Sequence, residues 1–376
     1  MTESIHDFSA KLRQPSLREH VAAYLRWRKQ LAHARAEGRP DPEPPAQAPI
    51  SINLDLTTAC NYRCDHCIDW DILNTKHRHD EETLRSSICT MVERGLRSVI
   101  LIGGGEPTIY PNFAEFVRFL KDLELQVAIV SNGSRGDVLL DVADALTPRD
   151  WVRLSLDAGS NELFRAMHKP VKRSLTLDEI CEWVPRIKER NPRFEVGYSY
   201  IIVWEGASRE GVALHENIDE IAMATERARQ GDVLARIRAE VDKARAMASD
   251  RFAVRVSTNL RVLEQGSWRD FTRQPRVCHM QALRQVLTPM GTYNCPAHRG
   301  VEKARVAGPD AFANDGTARR TGAALTALMD RFDASRECAE VTCLYNGVNW
   351  WLEKLVQEPG AEVALEPGDE RDDFFL

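Results

Sequence analysis

Cys60-Asn-Tyr-Arg-Cys64-Asp-His-Cys67 is the stretch on which the fold and chemistry of this chain turn. Three thiolates spaced Cys-x3-Cys-x2-Cys can hold three corners of a [4Fe–4S] cube and leave the fourth iron without a protein ligand. An open iron is a place for a substrate or cosubstrate, whereas a fully ligated cluster mostly moves electrons. Structural zinc is the competing reading, with His66 or a distant residue as fourth ligand. No second Cys-x2-Cys pair lies nearby to complete such a site.

Outward from this stretch the chain alternates strand with helix. Strands are expected at Ile50–Leu56, Ser98–Ile102, Val127–Ser131, Trp151–Leu156 and Phe194–Val203. Amphipathic helices fall between them, near 81–94, 112–122, 137–145, 161–167 and 177–190. Short apolar strands alternating with helices imply a parallel sheet with right-handed crossovers. In such folds function collects at the C-terminal strand ends. Here those ends carry Cys60–Cys67, Gly103–Glu106, Ser131-Asn132-Gly133, Ser155–Asp157 and Trp204-Glu205. Polar or reactive residues after every strand favour an open or closed β/α barrel with its site at one mouth.

Cys60, Cys64 and Cys67 after the first strand, with Gly103-Gly104-Gly105-Glu106-Pro107 after the second, resemble the radical S-adenosylmethionine (SAM) superfamily. Two motifs in the expected order and places weigh against zinc. The resemblance implies an α/β fold, a partial (β/α)6 barrel, with a [4Fe–4S] cluster on the three cysteines. It implies that Gly103, Gly104, Gly105 and Glu106 bind the methionine amino group of SAM. By the same resemblance Ser131, Asn132, Ser155 and Asp157 face the ribose or methionine, and His66 the adenine. Ser and Asp at strand ends are also ordinary helix caps. A flavodoxin- or ferredoxin-type donor would reduce the cluster, and SAM cleavage would yield a 5′-deoxyadenosyl radical that abstracts hydrogen.

The late cysteines run Cys278-x16-Cys295-x42-Cys338-x4-Cys343. Leu287–Cys295 reads as a hairpin turning at Met290-Gly291. A cysteine, a hairpin carrying a second cysteine, then a distant pair resembles the twitch domain, the shortened form of the SPASM domain. That resemblance implies a small C-terminal α+β domain with an auxiliary [4Fe–4S] cluster on all four cysteines. The layout is similar to dehydrogenases of the 2-deoxy-scyllo-inosamine type. A zinc ribbon stays open at this site, since four thiolates suit zinc equally well.

The remainder of the chain bounds these expectations. Its 376 residues, 43% hydrophobic and 28% charged, are those of an ordinary globular protein of one or two domains. A net charge of −6 gives no electrostatic surface for nucleic acid. The N-terminus lacks a signal pattern and no apolar run approaches the about 18 residues of a membrane span, so a cytoplasmic protein without membrane partners is expected. Nine cysteines in such a chain read as ligands or free thiols rather than disulfides.

The expected domains are a helical N-terminal extension with a Pro-rich linker (1–49), the barrel (50–258), the twitch domain (259–350) and an acidic tail (351–376). Leu17, Val21, Leu25 and Leu31 give the extension an apolar stripe, and Phe374-Phe375-Leu376 is the one expected contact of the tail. Residues 216–248 read as helix, so either Phe252–Ser257 supplies a sixth strand or the barrel is curtailed.

Together these features point to hydrogen abstraction from a small carbohydrate-like molecule, with two-electron oxidation completed by the auxiliary cluster. Base candidates are Glu205, Lys169, His168 and Tyr200. An epimerase would need a thiol donor, and the spare Cys89 and Cys181 fall on expected helices away from the mouth. A peptide- or protein-modifying enzyme of the maturase type, or a non-catalytic zinc protein, are the other readings.

Overall fold

The computed structural model describes residues 7–64, 67–200, 253–256, 268–339, 341, 343–363 and 372–376, plus the isolated positions 235, 238, 239 and 242. Of the helix expected over 216–248 only positions 235, 238, 239 and 242 are described, all in helical conformation, and His66 and Glu205 lie outside the described residues. The chain divides into two compact units. One takes Met1–Leu54, Arg78–Val99 and Arg269–Leu376; the other takes Asp55–His77 and Ile100–Trp268.

The second unit is built from parallel strands with helical crossovers. β3 (Gln126–Ser131), β4 (Trp151–Ser155), β5 (Glu195–Tyr200) and β6 (Ala253–Val256) lie side by side in that order. Ala128 stands opposite Trp151, Trp151 opposite Glu195, and Gly197 opposite Ala253. A strand thus forms within Phe252–Ser257 and extends the parallel sheet beyond β5. Helix Phe113–Asp122 shows why the crossovers pack. Its Phe113, Phe116, Val117 and Leu120 are all buried, at helical spacing, against β3 and helix Gly136–Val142. Each such side chain contributes about 1.5–3 kcal/mol of transfer free energy. Buried Asp150 ties the strand starts together. It accepts the Val127 N–H at 2.6 Å and the Thr147 N–H at 2.7 Å, and pairs with Lys121 at 2.7 Å.

The helix expected over 177–190 is two, Leu177–Cys181 and Trp183–Arg190. Pro185 explains the break: it has no N–H for the carbonyl of Cys181, and its ring crowds that oxygen. The Cys181 carbonyl accepts instead from the Tyr198 hydroxyl at 3.4 Å.

The first unit carries β1 (Ser51–Leu54), parallel to β7 (Arg284–Thr288), then β8 (Gly291–Tyr293) and β9 (Arg305–Ala307), both antiparallel to their neighbours. β2 (Ser98–Leu101) contains the division between the units. The hairpin forms, but its turn is Pro289-Met290 rather than Met290-Gly291. The Thr288 hydroxyl accepts the N–H groups of Met290 and Gly291, at 3.0 and 3.2 Å, and closes the turn one residue earlier. Gly291 is left in the strand at φ +151°, where a Cβ would lie 2.8 Å from the Ala307 carbonyl oxygen.

The apolar stripe of the N-terminal helices is core. Leu12, Leu17, Val21, Leu25 and Leu31 pack in one cluster with Met280, Leu283, Val348, Leu352, Phe374 and Leu376. Lys11 donates to the Phe375 carbonyl at 2.6 Å and pairs with Asp373 at 2.9 Å. The C-terminal Phe374, Phe375 and Leu376 are accordingly buried. Among the described residues no helix is long and apolar enough to cross a membrane.

Candidate functional site

The cysteine loop follows β1 and is anchored from both sides by the glycine segment after β2. The Glu106 N–H donates to the Ala59 carbonyl at 2.9 Å, one residue before Cys60. The Gly104 N–H donates to Asp69 Oδ2 at 3.1 Å, two residues after Cys67. Glycine is required for this fit. A Cβ on Gly105 would stand 2.1 Å from the Ala59 oxygen, and Gly103 and Gly104 take φ +81° and +65°. Asn74, itself left-handed at φ +57°, accepts the Cys60 N–H at 3.0 Å and donates its own to Thr58.

Glu106 turns inward. Its carboxylate, 3% exposed, accepts from Ser131 Oγ at 2.7 Å, from the Asn132 N–H at 2.7 Å, and from the N–H and hydroxyl of Thr108. Burial raises its pKa, and the Asn132 N–H and the hydroxyls draw it back. The motif glutamate therefore fixes the end of β3 against the glycine segment. Asn132 carries the linkage on to the cysteine loop, donating to Asn61 Oδ1 at 2.9 Å and accepting from the Tyr62 hydroxyl at 3.3 Å.

The three thiols lie near enough to oppose one another's ionisation. Burial, reinforced by Glu106 and Cys67, pushes Cys60 up to about 11 against the pull of the Tyr62 N–H. Burial first, then Cys67 and Cys60, pushes Cys64 up as well. Such a group of thiolates calls for a polycation among them, which an iron–sulfur cluster supplies. Among the described residues no three His, Cys, Asp or Glu side chains converge on one point as a single ion requires. A cube differs in spreading its protein ligands over separate irons.

The remaining expected residues divide. Ser131 and Asn132 stand beside the glycine segment through Glu106. Ser155 ends β4 and lies 3.5 Å from Ser199 Oγ. Asp157 is 2% exposed at φ +49°. His168 is buried with both ring nitrogens engaged, Nδ1 3.2 Å from Cys64 Sγ and Nε2 2.7 Å from the Leu156 carbonyl. Lys169 is exposed and caps the helix in a left-handed conformation. Tyr200 ends β5. Cys89 and Cys181 lie on helices Glu81–Glu93 and Leu177–Cys181 and are half-buried. Sequence reasoning passed over Asn61, Asp69, Asn74 and Thr108. Asn61 had a signal, standing inside the cysteine stretch itself.

In the first unit Cys278, Cys295, Cys338 and Cys343 line a single cavity, with Phe332 on its wall. All four are free thiols. Burial, then Cys295, pushes Cys278 up to about 11. Burial, then Cys278 and Cys295, pushes Cys343 up to about 12. Asn349 Nδ2 lies 3.5 Å from Cys278 Sγ, and His298 Nε2 lies 3.5 Å from Cys338 Sγ. Four thiols, an apolar wall and the Asn349 amide N–H aimed at sulfur are a donor set that fits a fully ligated cluster.

The family profile described as "Radical SAM superfamily" matches residues 54–215. Mycofactocin maturase of Mycobacterium tuberculosis (strain ATCC 25618 / H37Rv) is 34% identical over 122 residues, 31% of this chain and 29% of that protein. The S-adenosylmethionine-dependent nucleotide dehydratase of Thermoplasmatales archaeon (strain ISO4-H5) is 32% identical over 110 residues, 29% of this chain and 38% of that protein. The chain thus spans only 29% and 38% of the length of these curated relatives. Among solved structures, Streptococcus suis SuiB bound to S-adenosylmethionine aligns with a TM-score of 0.48 and 14% identity, over 77% of this chain and 68% of that one. The profile match, laid over the joined cysteine and glycine segments, supports the radical SAM superfamily for residues 54–215.

Proposed function

We propose that this radical SAM protein oxidises a small, carbohydrate-like substrate by two electrons, with a SAM-binding cluster on Cys60, Cys64 and Cys67 and an auxiliary cluster on Cys278, Cys295, Cys338 and Cys343. When bound, the first cluster and SAM supply a 5′-deoxyadenosyl radical, and the second supplies an electron acceptor. The observation that carries the oxidative reading is the single cavity lined by the four late cysteines. Four protein thiolates leave no iron open for substrate, which suits electron transfer.

The chain's own residues position and exclude. Gly103 and Gly104, kept free of side chains, let backbone approach the amino acid part of SAM. Glu106, Ser131 and Asn132 hold the ends of β2 and β3 in one hydrogen-bonded group, so that approach is preorganised. Loss of a hydroxyl proton from the substrate needs a base. Lys169 is exposed on the loop beside the cysteine stretch, where Val171 N–H meets the Asn61 carbonyl at 3.0 Å. An external one-electron donor of the flavodoxin or ferredoxin type completes the scheme.

A second reading, modification of a peptide, draws on the maturase among the relatives. The test is anaerobic reconstitution followed by incubation with SAM, reductant and candidate substrates. About eight irons and about eight sulfides per chain, formation of 5′-deoxyadenosine, and a product lighter by two hydrogens are expected. Zinc without sulfide overturns the cluster assignment, and a product of unchanged mass overturns oxidation.

A further inference from the structure

We infer that Arg284 is the electrostatic partner of the auxiliary cluster on Cys278, Cys295, Cys338 and Cys343, a permanent cation in the cavity wall that donates its Nε–H to cluster sulfur and raises the cluster's reduction potential. This rests on the reading that those four cysteines hold a cluster. Among the described residues that line the cavity, Arg284 is the only Lys or Arg, and no Asp or Glu is among them. It opens β7 opposite Ser51 of β1, and its Nη2 donates at 2.8 Å to Oδ1 of Asn53, two residues along that strand. Asn53 is 3% exposed, so the anchor is buried. On the other side the guanidinium carbon lies over the Tyr345 ring, 5.0 Å from its centroid, and Tyr345 also lines the cavity.

A guanidinium stays charged throughout the accessible pH range, so the effect does not depend on titration. The anchor is an amide, which fixes the group without cancelling its charge. Its Nε–H is buried and meets no acceptor among the described residues. A buried N–H left so is destabilising, and cluster sulfur is an acceptor that relieves it. The charge already reaches the cysteines: burial, then Cys278 and Cys295, push Cys343 up, and Arg284 draws it back. A cube on four thiolates carries net negative charge that grows on reduction. A cation held beside it in a low-dielectric wall favours the more negative, reduced state. The higher potential suits a cluster that accepts an electron.

The experiment uses the full chain carrying Cys60→Ala, Cys64→Ala and Cys67→Ala, so that only the auxiliary cluster remains. About four irons and about four sulfides per chain are expected after anaerobic reconstitution. A chain that assembles none overturns the reading that the quartet holds a cluster, and the inference with it. With the cluster present, its midpoint potential is measured by EPR-monitored titration. Arg284→Gln is expected to move the midpoint negative, lowering the ratio of reduced to oxidised cluster by about tenfold or more at a fixed potential. Arg284→Lys keeps the charge and should restore most of the shift, although it loses the planar stack on Tyr345. A packing role alone would not separate the two variants by charge. An unchanged or positive midpoint shift in Arg284→Gln, or equal shifts in both variants, overturns the inference. Arginine labelled with 15N should give a nitrogen coupling to the reduced cluster while Arg284 is intact, and its absence overturns the inference too. That coupling requires no substitution at Arg284, so the proposal stays testable if Arg284→Gln fails to fold.

Discussion

The two cysteine groups of this chain solve opposite problems. The triad sits within eight consecutive residues, and its shape depends on what braces a loop: Ala59 and Asp69 pinned by Glu106 and Gly104, and Cys64 met by His168. The quartet is gathered from three separate stretches of chain, and its shape depends on a hydrophobic unit folding around a cavity. On the proposed assignment, a braced loop would leave one iron of a bound cluster open to a ligand, while a cavity lined by four cysteines would surround a cluster with protein. Ligand number and the kind of support would then go together, reactivity with local bracing and electron transfer with global packing.

The division is broken most directly by removing one thiol from each group. Cys64→Ala is expected to lower 5′-deoxyadenosine formation by about a thousandfold or more and to remove about four of the irons, read by chromatography and metal analysis. Cys343→Ala is expected to remove a similar amount of iron. SAM cleavage should then stay within about tenfold of wild type while oxidised product falls about a hundredfold. If Cys343→Ala abolishes SAM cleavage as completely as Cys64→Ala does, the two groups do not divide the work.

The same contrast explains what could be read in the sequence. The triad, the glycine segment and the five strands β1 to β5 are local patterns of spacing and alternation, and β6 appears inside Phe252–Ser257, where the sequence left a sixth strand and a curtailed barrel both open. The stripe Leu17, Val21, Leu25, Leu31 was legible as a buried face, but not what it would bury against. The partners named above come from position 280 onward in the chain, and periodicity carries no information about them. His168 was visible as a histidine near the site, yet its contact with Cys64 spans 104 positions in sequence. Its neighbours Leu156 and Phe164 are ordinary apolar residues. The turn at Pro289-Met290 was missed by one residue because the Thr288 hydroxyl, not the glycine, closes it.

Two substitutions sharpen the comparison at the level of support. Leu25→Ala removes a 4% exposed side chain from the core of the quartet's unit and should cost about 2–5 kcal/mol in denaturant unfolding, with loss of auxiliary iron ahead of triad iron. Equal loss of both would show that the two groups share one cooperative support. Gly105→Ala puts a methyl 2.1 Å from the Ala59 oxygen, so the backbone must give way. The expected cost is about 1–3 kcal/mol, with a rise of about tenfold in the SAM concentration needed for cleavage. A variant that binds SAM normally would mean the close approach of these segments does not shape the SAM site.

The smallest effect should come where the C-terminal tail meets the first helix. Lys11 pairs with Asp373, whose side chain is 53% exposed, and also donates to the Phe375 carbonyl. An exposed pair is weakened by solvent, while the carbonyl bond, at 2.6 Å, is partly buried and less screened. Lys11→Ala should therefore destabilise by about 1 kcal/mol or less, and high salt should erase only the share due to Asp373. Asp373→Asn isolates that share and is expected to cost less than Lys11→Ala. Were the two equal, the Lys11–carbonyl bond would contribute nothing, and the buried Phe374, Phe375 and Leu376 would be held by apolar packing and by the tail's other bonds, among them the Ser98 hydroxyl to the Phe374 carbonyl at 2.8 Å.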